Sequence, residues 1–385
     1  MTFASLLGFS LFLTPAQDDF AKLWDASSKA ISNQYYARST RKDEMEKLLA
    51  KYAPKAKSAK NRAEFSQAVN DMIDEFKDSH FDFLPDDSQG YYVFDQLTGK
   101  KTDMPNIGAW FAPAKDGYTV TMVLEGLPAA EAGLRKGDVI KSIEGAPFTP
   151  IASLKNWVDK EAQIQGLRDG KPLVAKVKVV AQPGLDMFLD GTKNSSRIIE
   201  HKGKKIGYIH LWTMANDDFR NALHGQVYGK LKDTDAMILD IRDGFGGRPE
   251  GFGDPFFRPD VRLDWEYGAG GMNMKQLFGY GRPLVVLING GSRSAKEVFS
   301  AIIKKSGRGK LIGQTTAGHV LGTFPQRIAD WAYLEIPMVD VKVDGTRIEG
   351  SGVKPDIEVN PEFAPDGTDR VLQEALRQLT STASL

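Results

Sequence analysis

The sequence predicts a multidomain α/β protein, and changes of pattern along the chain support that prediction. Residues 17–95 place apolar side chains at a helical period, which predicts an N-terminal helical domain. Residues 103–181 alternate apolar and polar side chains, which predicts a β-rich α+β module. Residues 195–363 alternate short apolar runs with amphipathic segments, as α/β cores do, and residues 364–385 predict a C-terminal helix or tail.

The composition excludes several classes of function. Lysine plus arginine and aspartate plus glutamate both count 50 in 385 residues, so no basic field favours nucleic acid as a partner. The chain has no cysteine, which excludes disulfides and thiol catalysis. Its five histidines are scattered along the sequence, a pattern that disfavours a zinc site.

The first 16 residues have the features of a signal peptide. Phe3–Leu13 is apolar but short for a membrane span, and Thr14–Ala16 offers a small-residue cleavage site. A basic segment before the apolar run is missing, so an uncleaved anchor is the alternative. We expect an exported protein of the periplasm, cell envelope or extracellular space.

A histidine follows the third predicted helix of the helical domain. After this helix the chain continues with Ser79 and His80. Taken alone, a histidine just past a helix C-terminus is explained by its favourable interaction with the helix dipole. The apolar positions that predict the three helices are Phe20, Leu23 and Trp24; Met45, Leu48, Leu49 and Tyr52; and Phe65, Val69, Met72, Ile73 and Phe76.

The segment Gly126–Gly145 resembles the signature of a PDZ domain, in which glycines form tight turns between apolar positions. PDZ domains bind an extended peptide along a sheet edge and hold its terminal carboxylate with backbone N–H groups. The resemblance implies a helix beside the peptide groove at residues 153–158. It implies a carboxylate-binding loop formed by Ile107, Gly108, Ala109 and Trp110.

A buried-type strand at residues 283–289 leads through a glycine hinge into an amphipathic helix, with Ser294 at the hinge. A serine on such a turn is presented beside helix N–H groups that can receive an oxyanion, which suits a nucleophile. The simpler interpretation of the hinge alone is a capping box between Ser294 and Glu297.

A second glycine-rich turn, Asp240–Gly247, also follows a strand. Its glycines do not have the spacing of a Walker phosphate-binding loop or of a dinucleotide-binding motif. The segment is therefore either a plain tight turn or a source of backbone N–H groups for an anion, from Gly246 and Gly247.

In order, these segments resemble peptidase family S41, the tail-specific and C-terminal-processing serine peptidases. The resemblance implies an α/β core of the ClpP/crotonase-like type, polypeptide substrates, no metal or cofactor, and a possible homo-oligomer. It makes Ser294 the nucleophile and gives the oxyanion hole to Ala295 with Gly246 or Gly247. The matching motifs are Ile206–Ile209, Asp240–Gly247, Asn289–Glu297, Leu311–Gly318 and Asp344–Asp356.

One position departs from the common family pattern. Many members pair the serine with a lysine after the glycine that matches Gly318, but this chain has His319 there. The chain is more similar to the tricorn-type subgroup, which implies His80 as base, assisted by Ser79, and Glu349 as the third group. His319 is the alternative base.

We therefore expect a serine endopeptidase or carboxyl-terminal processing peptidase whose PDZ domain recruits substrate C-termini or controls access. Because the usual lysine is missing, the alternative is a noncatalytic binding or scaffold protein that keeps the same fold.

Overall fold

The computed structural model describes residues 18–266 and 274–381. The predicted signal peptide lies outside the described residues. The chain divides into two compact units, one that ends at Lys77 and one that begins at Asp78. None of the described helices is long and apolar enough to cross a membrane.

The first unit consists of three amphipathic helices, as the periodicity predicts. Asp19 caps the first helix and Asn61 caps the third through their side chains. The second helix continues through Pro54, so the connection predicted from Lys55 onward is shorter than expected. Within this unit Phe65, Val69 and Met72 are fully buried. The helices are α1 (Phe20–Gln34), α2 (Lys42–Lys57) and α3 (Arg62–Phe76).

The β-rich module of the second unit is a sheet with its own apolar core. The helix predicted at residues 153–158 forms only a 3₁₀ turn at Lys155–Trp157. The elements before and within the module are β1 (Asp82–Pro85), α4 (Gln89–Leu97), β2 (Asp103–Asn106), β3 (Ala109–Ala114), β4 (Gly117–Val123), α5 (Pro128–Glu131), β5 (Val139–Ile143), β6 (Ala146–Pro147), β7 (Glu161–Arg168), β8 (Lys171–Lys178) and β9 (Val180–Pro183). The strand order is β3-β4-β5-β7-β8, with β6 paired to β5 and β2 to β9, so β3 is an edge strand.

The α/β core follows. Its elements are α6 (Gly184–Ser195), β10 (Arg197–His201), β11 (Lys204–His210), β12 (Thr213–Met214), α7 (Asp217–Tyr228), β13 (Ala236–Asp240), β14 (Phe245–Gly247), α8 (Asp254–Phe257), β15 (Arg262–Trp265), β16 (Met274–Leu277), β17 (Leu284–Ile288), α9 (Ala295–Ser306), β18 (Lys310–Gly313), β19 (Gly322–Ala329), β20 (Ala332–Val339), β21 (Lys342–Val343), β22 (Thr346–Arg347), β23 (Ile357–Glu358) and α10 (Arg370–Thr380).

The central sheet has the order β10-β11-β13-β17-β18-β23 and is parallel except for the β10–β11 pair. Alternate side chains of each strand enter different cores. Met237 and Leu239 join the cluster that includes α7 and α9, whereas Ala236 and Ile238 join the cluster that includes α10. Burial on both faces explains why these strands are continuous apolar runs.

The topology of this sheet places the two glycine-containing turns together. Strands β13 and β17 are parallel neighbours, so their carboxyl ends lie at the same sheet edge. The glycine turn follows β13 and the serine hinge follows β17. The two turns can therefore approach each other although they are separated in sequence.

A smaller antiparallel sheet has the order β1-β20-β19. Strand β1 begins two residues after His80, and β19 follows the loop that contains His319. Asp82 of β1 lies directly opposite Glu335 of β20.

Candidate active site

Ser294 occupies a strained backbone position at the start of α9. Its φ of 59° and ψ of −125° lie in a region that residues other than glycine rarely adopt. Ser294 and Glu297 are arranged as a capping box, but the Ser294 hydroxyl makes no cap hydrogen bond of good geometry. The carboxylate half is made, because the Ser294 N–H donates to Glu297 Oε2 (3.2 Å). The capping pattern is thus compatible with a nucleophilic role for the half-buried Ser294 hydroxyl.

Glu297 organises the loop opposite Ser294 from a fully buried position. Its carboxylate accepts hydrogen bonds from Thr316 Oγ1 (2.6 Å) and from the N–H groups of Gly318 (2.7 Å) and His319 (2.8 Å). The His319 carbonyl in turn accepts from the Ser294 N–H (2.7 Å). This buried carboxylate fixes the loop and the nucleophile hinge relative to each other.

The glycine turn lies directly against Ser294. A Cβ placed on Gly246 would be 2.3 Å from Ser294 Cβ, 2.7 Å from Oγ and 2.9 Å from the Ala295 nitrogen. Only a residue without a side chain permits this approach. The structure therefore brings together Ser294, Ala295 and Gly246, with Gly247 adjoining at φ 129°.

His80 is mostly buried and has a positive φ of 54°. Ser79 Oγ lies 3.1 Å from its Nδ1. Burial, together with the positive charge of Arg293 and the neighbouring His319, lowers the pKa of His80 to about 4. His80 is therefore neutral at pH 7, and the electrostatic influence of Arg293, the residue before Ser294, shows that it lies near the hinge.

His319 contributes mainly through its backbone. Its N–H and carbonyl make the hydrogen bonds described above, while its side chain is exposed. It also lies close enough to His80 to lower that residue's pKa.

Glu349 does not hydrogen-bond His80 or Ser79 among the described residues. Its Oε2 accepts instead from the N–H groups of Val320 (2.6 Å) and Leu321 (3.2 Å), immediately after His319. The carboxylate thus supports the loop beside the site. Ser292, the other hinge serine, is fully buried, donates to the Ile241 carbonyl (2.9 Å) and accepts from the Asn289 N–H (3.1 Å).

The loop that the PDZ resemblance assigns to carboxylate binding leads into edge strand β3. Ile107 and Ala109 are fully buried, and Gly108 has a φ of 77°. The Trp110 ring packs 5.0 Å from that of Phe245 in the glycine turn. The PDZ module and the candidate active site therefore share a contact.

The outer edge of β3 is already occupied by a side chain. Gln89 of α4 is buried, donates from Nε2 to the Ala109 carbonyl (3.0 Å) and accepts from the Phe111 N–H (3.0 Å). A peptide added to this edge would use backbone positions of the same kind. Sequence patterns could not reveal this contact, because Gln89 lies on a different element.

A second link joins the PDZ module to the glycine turn. Lys136, within the PDZ signature, places Nζ 2.8 and 2.7 Å from the two carboxylate oxygens of Asp243. Asn289 holds the same carboxylate through its Nδ2 (3.1 Å). In the part of the chain that the structure describes, no cluster of three histidine or carboxylate side chains could hold a metal ion.

Comparison with known proteins identifies the modules. The model of peptidase family S41 matches residues 205–359, and a PDZ domain model matches residues 105–179. The core belongs to peptidase family S41. This S41 core and its PDZ domain confirm the multidomain α/β fold expected from the sequence.

Curated proteins similar to this chain include a tricorn protease homolog of Saccharolobus solfataricus, 26% identical over 378 residues. That match covers 91% of this chain but 34% of the relative. The chloroplastic C-terminal processing peptidase of Tetradesmus obliquus is 26% identical over 274 residues, which cover 64% of this chain and 58% of the relative. The chain thus spans less than two thirds of the length of either relative.

Solved structures share the fold. The tricorn protease gives a TM-score of 0.58 at 20% identity, with 95% of this chain and 37% of that chain covered. The photosystem II D1 C-terminal processing protease gives a TM-score of 0.54 at 21% identity, with coverages of 95% and 98%.

Proposed function

We propose that this protein is a serine endopeptidase that hydrolyses peptide bonds of polypeptides through Ser294 and His80. The observation that carries the proposal is the packing of Gly246 against both the side chain of Ser294 and the Ala295 nitrogen. It supports an oxyanion hole beside the nucleophile, as acyl transfer requires.

The reaction follows from the roles of these groups. Neutral His80 accepts the Ser294 proton as Oγ attacks the peptide carbonyl carbon, and it later returns that proton to the leaving amine. Water then attacks the acyl-enzyme, and His80 removes its proton in the same way. Ser79 at Nδ1 leaves Nε2 for the reacting groups. The N–H groups of Ala295 and Gly246 or Gly247 stabilise the oxyanion in both steps.

Glu349 supports this arrangement through the loop after His319. His319 is the alternative base, because it occupies the loop whose carbonyl accepts the Ser294 N–H. The PDZ domain recruits polypeptide C-termini or controls access, and its contacts with Phe245 and Asp243 support such coupling.

Labelling with a fluorophosphonate tests the catalytic proposal. We expect labelling of the folded wild-type protein and of Ser306→Ala, whose hydroxyl lies at the far end of α9. Ser294→Ala should not be labelled. Absence of labelling in soluble, folded wild-type protein would favour the noncatalytic PDZ scaffold, whereas persistent labelling of Ser294→Ala would place the nucleophile elsewhere.

Export to the periplasm, cell envelope or extracellular space is a further part of the proposal and rests on the apolar segment Phe3–Leu13. Intact mass of the protein recovered from the producing cells tests it. A mature chain that starts at residue 17 supports cleavage, and an intact membrane-bound chain supports an anchor. An intact chain confined to the cytoplasm contradicts export.

A further inference from the structure

Lys296 is a fully buried lysine in the first turn of the nucleophile helix. Its Nζ donates to the carbonyl oxygens of Trp212 (2.8 Å) and Asp243 (2.6 Å). The Asp243 carbonyl lies within the glycine turn, directly before Gly244, and the Trp212 carbonyl also accepts the Phe245 N–H of that turn (3.0 Å). One ammonium group therefore joins α9 both to the turn and to the neighbouring segment that the turn bonds.

Helix α9 contacts the glycine turn at two points. A Cβ on Gly244 would lie 3.0 Å from Lys296 Nζ, and a Cβ on Gly246 would lie 2.3 Å from Ser294 Cβ. Lys296 thus holds the beginning of the turn while Ser294 lies against its centre. A shift of the Lys296 side chain would change the separation between the turn and the nucleophile.

Burying an ammonium group is costly, and a lysine retains its charge inside a protein only with good partners. Burial lowers the pKa of Lys296 to about 7, with Arg293 acting in the same direction and the carboxylates of Asp243 and Asp240 opposing it. An apolar side chain would fill this space without that cost. The two hydrogen bonds therefore indicate a task that an apolar residue could not perform.

We infer that Lys296 is a positioning residue that fixes the turn Gly244–Gly247 against Ser294, so that the backbone N–H groups of the oxyanion hole keep their places. The inference rests on the proposed function, because it concerns the same reaction. Among the described residues no hydrogen bond joins Lys296 Nζ to Ser294; the Nζ donates instead to the carbonyl oxygens of Trp212 and Asp243, which is why we assign it positioning rather than proton transfer.

The substitution Lys296→Met tests the inference, because methionine keeps the length of the side chain but cannot donate. Lys304→Met is the matched control. Lys304 lies on the same helix and donates to the Lys354 carbonyl (2.7 Å), outside the site.

For Lys296→Met we expect kcat to fall about 10²-fold, the lower range for loss of an oxyanion-hole donor, with KM changed less than about threefold. Binding of a peptide aldehyde, whose adduct carries a tetrahedral centre, should weaken in parallel with kcat. Binding of the substrate peptide, measured with Ser294→Ala in both backgrounds, should not change. Lys304→Met should retain wild-type kinetics.

The inference is overturned if folded Lys296→Met keeps the wild-type kcat while Ser294→Ala is inactive, an outcome that leaves the proposed function intact. An equal loss of peptide binding and aldehyde binding would also overturn it, because the effect would then be general disruption.

If Lys296→Met does not fold, Lys296→Gln provides the test, since its amide can donate to one carbonyl. An intermediate kcat supports positioning, whereas disappearance of the pH dependence of kcat/KM would identify Lys296 as the base and overturn the inference.

Discussion

The side chain of Ser294 and the α-carbon of Gly246 are in direct contact: a Cβ at position 246 would lie 2.3 Å from Ser294 Cβ. No real Cβ occupies such a position, so any side chain there must displace the nucleophile or the turn. The contact lies beyond the carboxyl ends of the parallel neighbours β13 and β17, so the pairing of these strands limits how far the two turns can separate. It makes the site sensitive to a single methyl group.

Gly246→Ala should therefore reduce kcat at least about 10²-fold, comparable with the loss of an oxyanion-hole donor. The measurement is peptide hydrolysis by a variant whose thermal unfolding is still cooperative. Gly225→Ala is the control, because Gly225 lies in α7 with no atom near its Cβ position. The control should keep its activity and gain about 0.5–1 kcal/mol of stability. Normal turnover by Gly246→Ala would contradict the proposed oxyanion hole.

Replacement of Ser294 by glycine and by alanine should separate catalysis from backbone strain. Both variants should lose peptide hydrolysis. Because Ser294 has a φ of 59°, Ser294→Gly should be more stable than Ser294→Ala, by about 1 kcal/mol. Thermal unfolding of the two proteins measures this difference. Equal stabilities would mean that the observed backbone conformation does not persist in solution.

The choice of base can be tested by pH. Protonated His80 cannot accept a proton, so with a pKa of about 4 for His80, kcat/KM should rise with pH through about 4 and remain high at neutral pH. His80→Ala should lose most turnover, whereas His319→Ala should retain much of it. The reverse result, an inactive His319→Ala and an active His80→Ala, would assign the role of base to His319.

Glu335 should make the protein less stable at alkaline pH. Burial and the negative charge of Asp82 raise the pKa of Glu335 to about 8, while Arg293 opposes that shift. In the unfolded chain the Glu335 carboxyl ionises near pH 4.5, whereas in the folded protein it keeps its proton to about pH 8. The stability that this proton contributes is therefore complete below about pH 4.5 and is lost as pH rises towards about 8. The scale is about 1.4 kcal/mol per unit of pKa difference.

Glu335→Gln removes this titration, so its stability relative to wild type should be greater at pH about 9 than at pH about 5. Thermal midpoints at the two pH values measure the difference. Glu161→Gln, at an exposed strand position, should show no such change. A constant difference between Glu335→Gln and wild type would show that Glu335 is ionised in the folded protein at both values.

Gln89 should compete with peptides for the edge of β3. Removing its amide in Gln89→Ala frees the Ala109 carbonyl and the Phe111 N–H, so affinity for a C-terminal peptide should rise if peptides add to this edge. Calorimetry measures the change. Gln96→Ala is the matched control, because Gln96 lies on the same helix but bonds Asp186 and Leu185.

A peptide with an amidated terminus should bind more weakly than the free acid, since backbone N–H groups lose a charged acceptor. Equal affinities of the two peptides would argue against recognition of the terminus. Lower affinity in Gln89→Ala than in wild type would show that Gln89 supports the groove rather than covering it.

Local patterns predicted the elements that depend on local physics. The apolar runs at β13 and β17 predicted buried strands, and the periodicity from Phe65 to Phe76 predicted α3. Residues 153–158 form only a 3₁₀ turn at Lys155–Trp157, and Leu154 is the buried side chain among these six residues, too little for an amphipathic helix pattern.

Local sequence patterns predicted less about the candidate active site. The approach of His80 to Arg293 depends on the pairing of β1 with β20, which no local pattern encodes and only the family resemblance suggested. Glu349 uses its carboxylate on backbone N–H groups, whose positions depend on the folded loop. The sequence offers one indication that Lys296 is unusual: it is a lysine on the first turn of a helix that follows a fully buried strand. Its hydrogen-bond partners come from segments distant in sequence, so the pattern could not identify them.

The pairing of Lys136 with Asp243 also bears on how such modules can be recombined. A PDZ domain transplanted from another protein without a cation at this place would leave the Asp243 carboxylate short of a partner beside the oxyanion turn. Asn289 Nδ2 would still hold that carboxylate (3.1 Å), but the charge that balances it would be lost. A designed exchange of PDZ modules should therefore keep a cation at position 136.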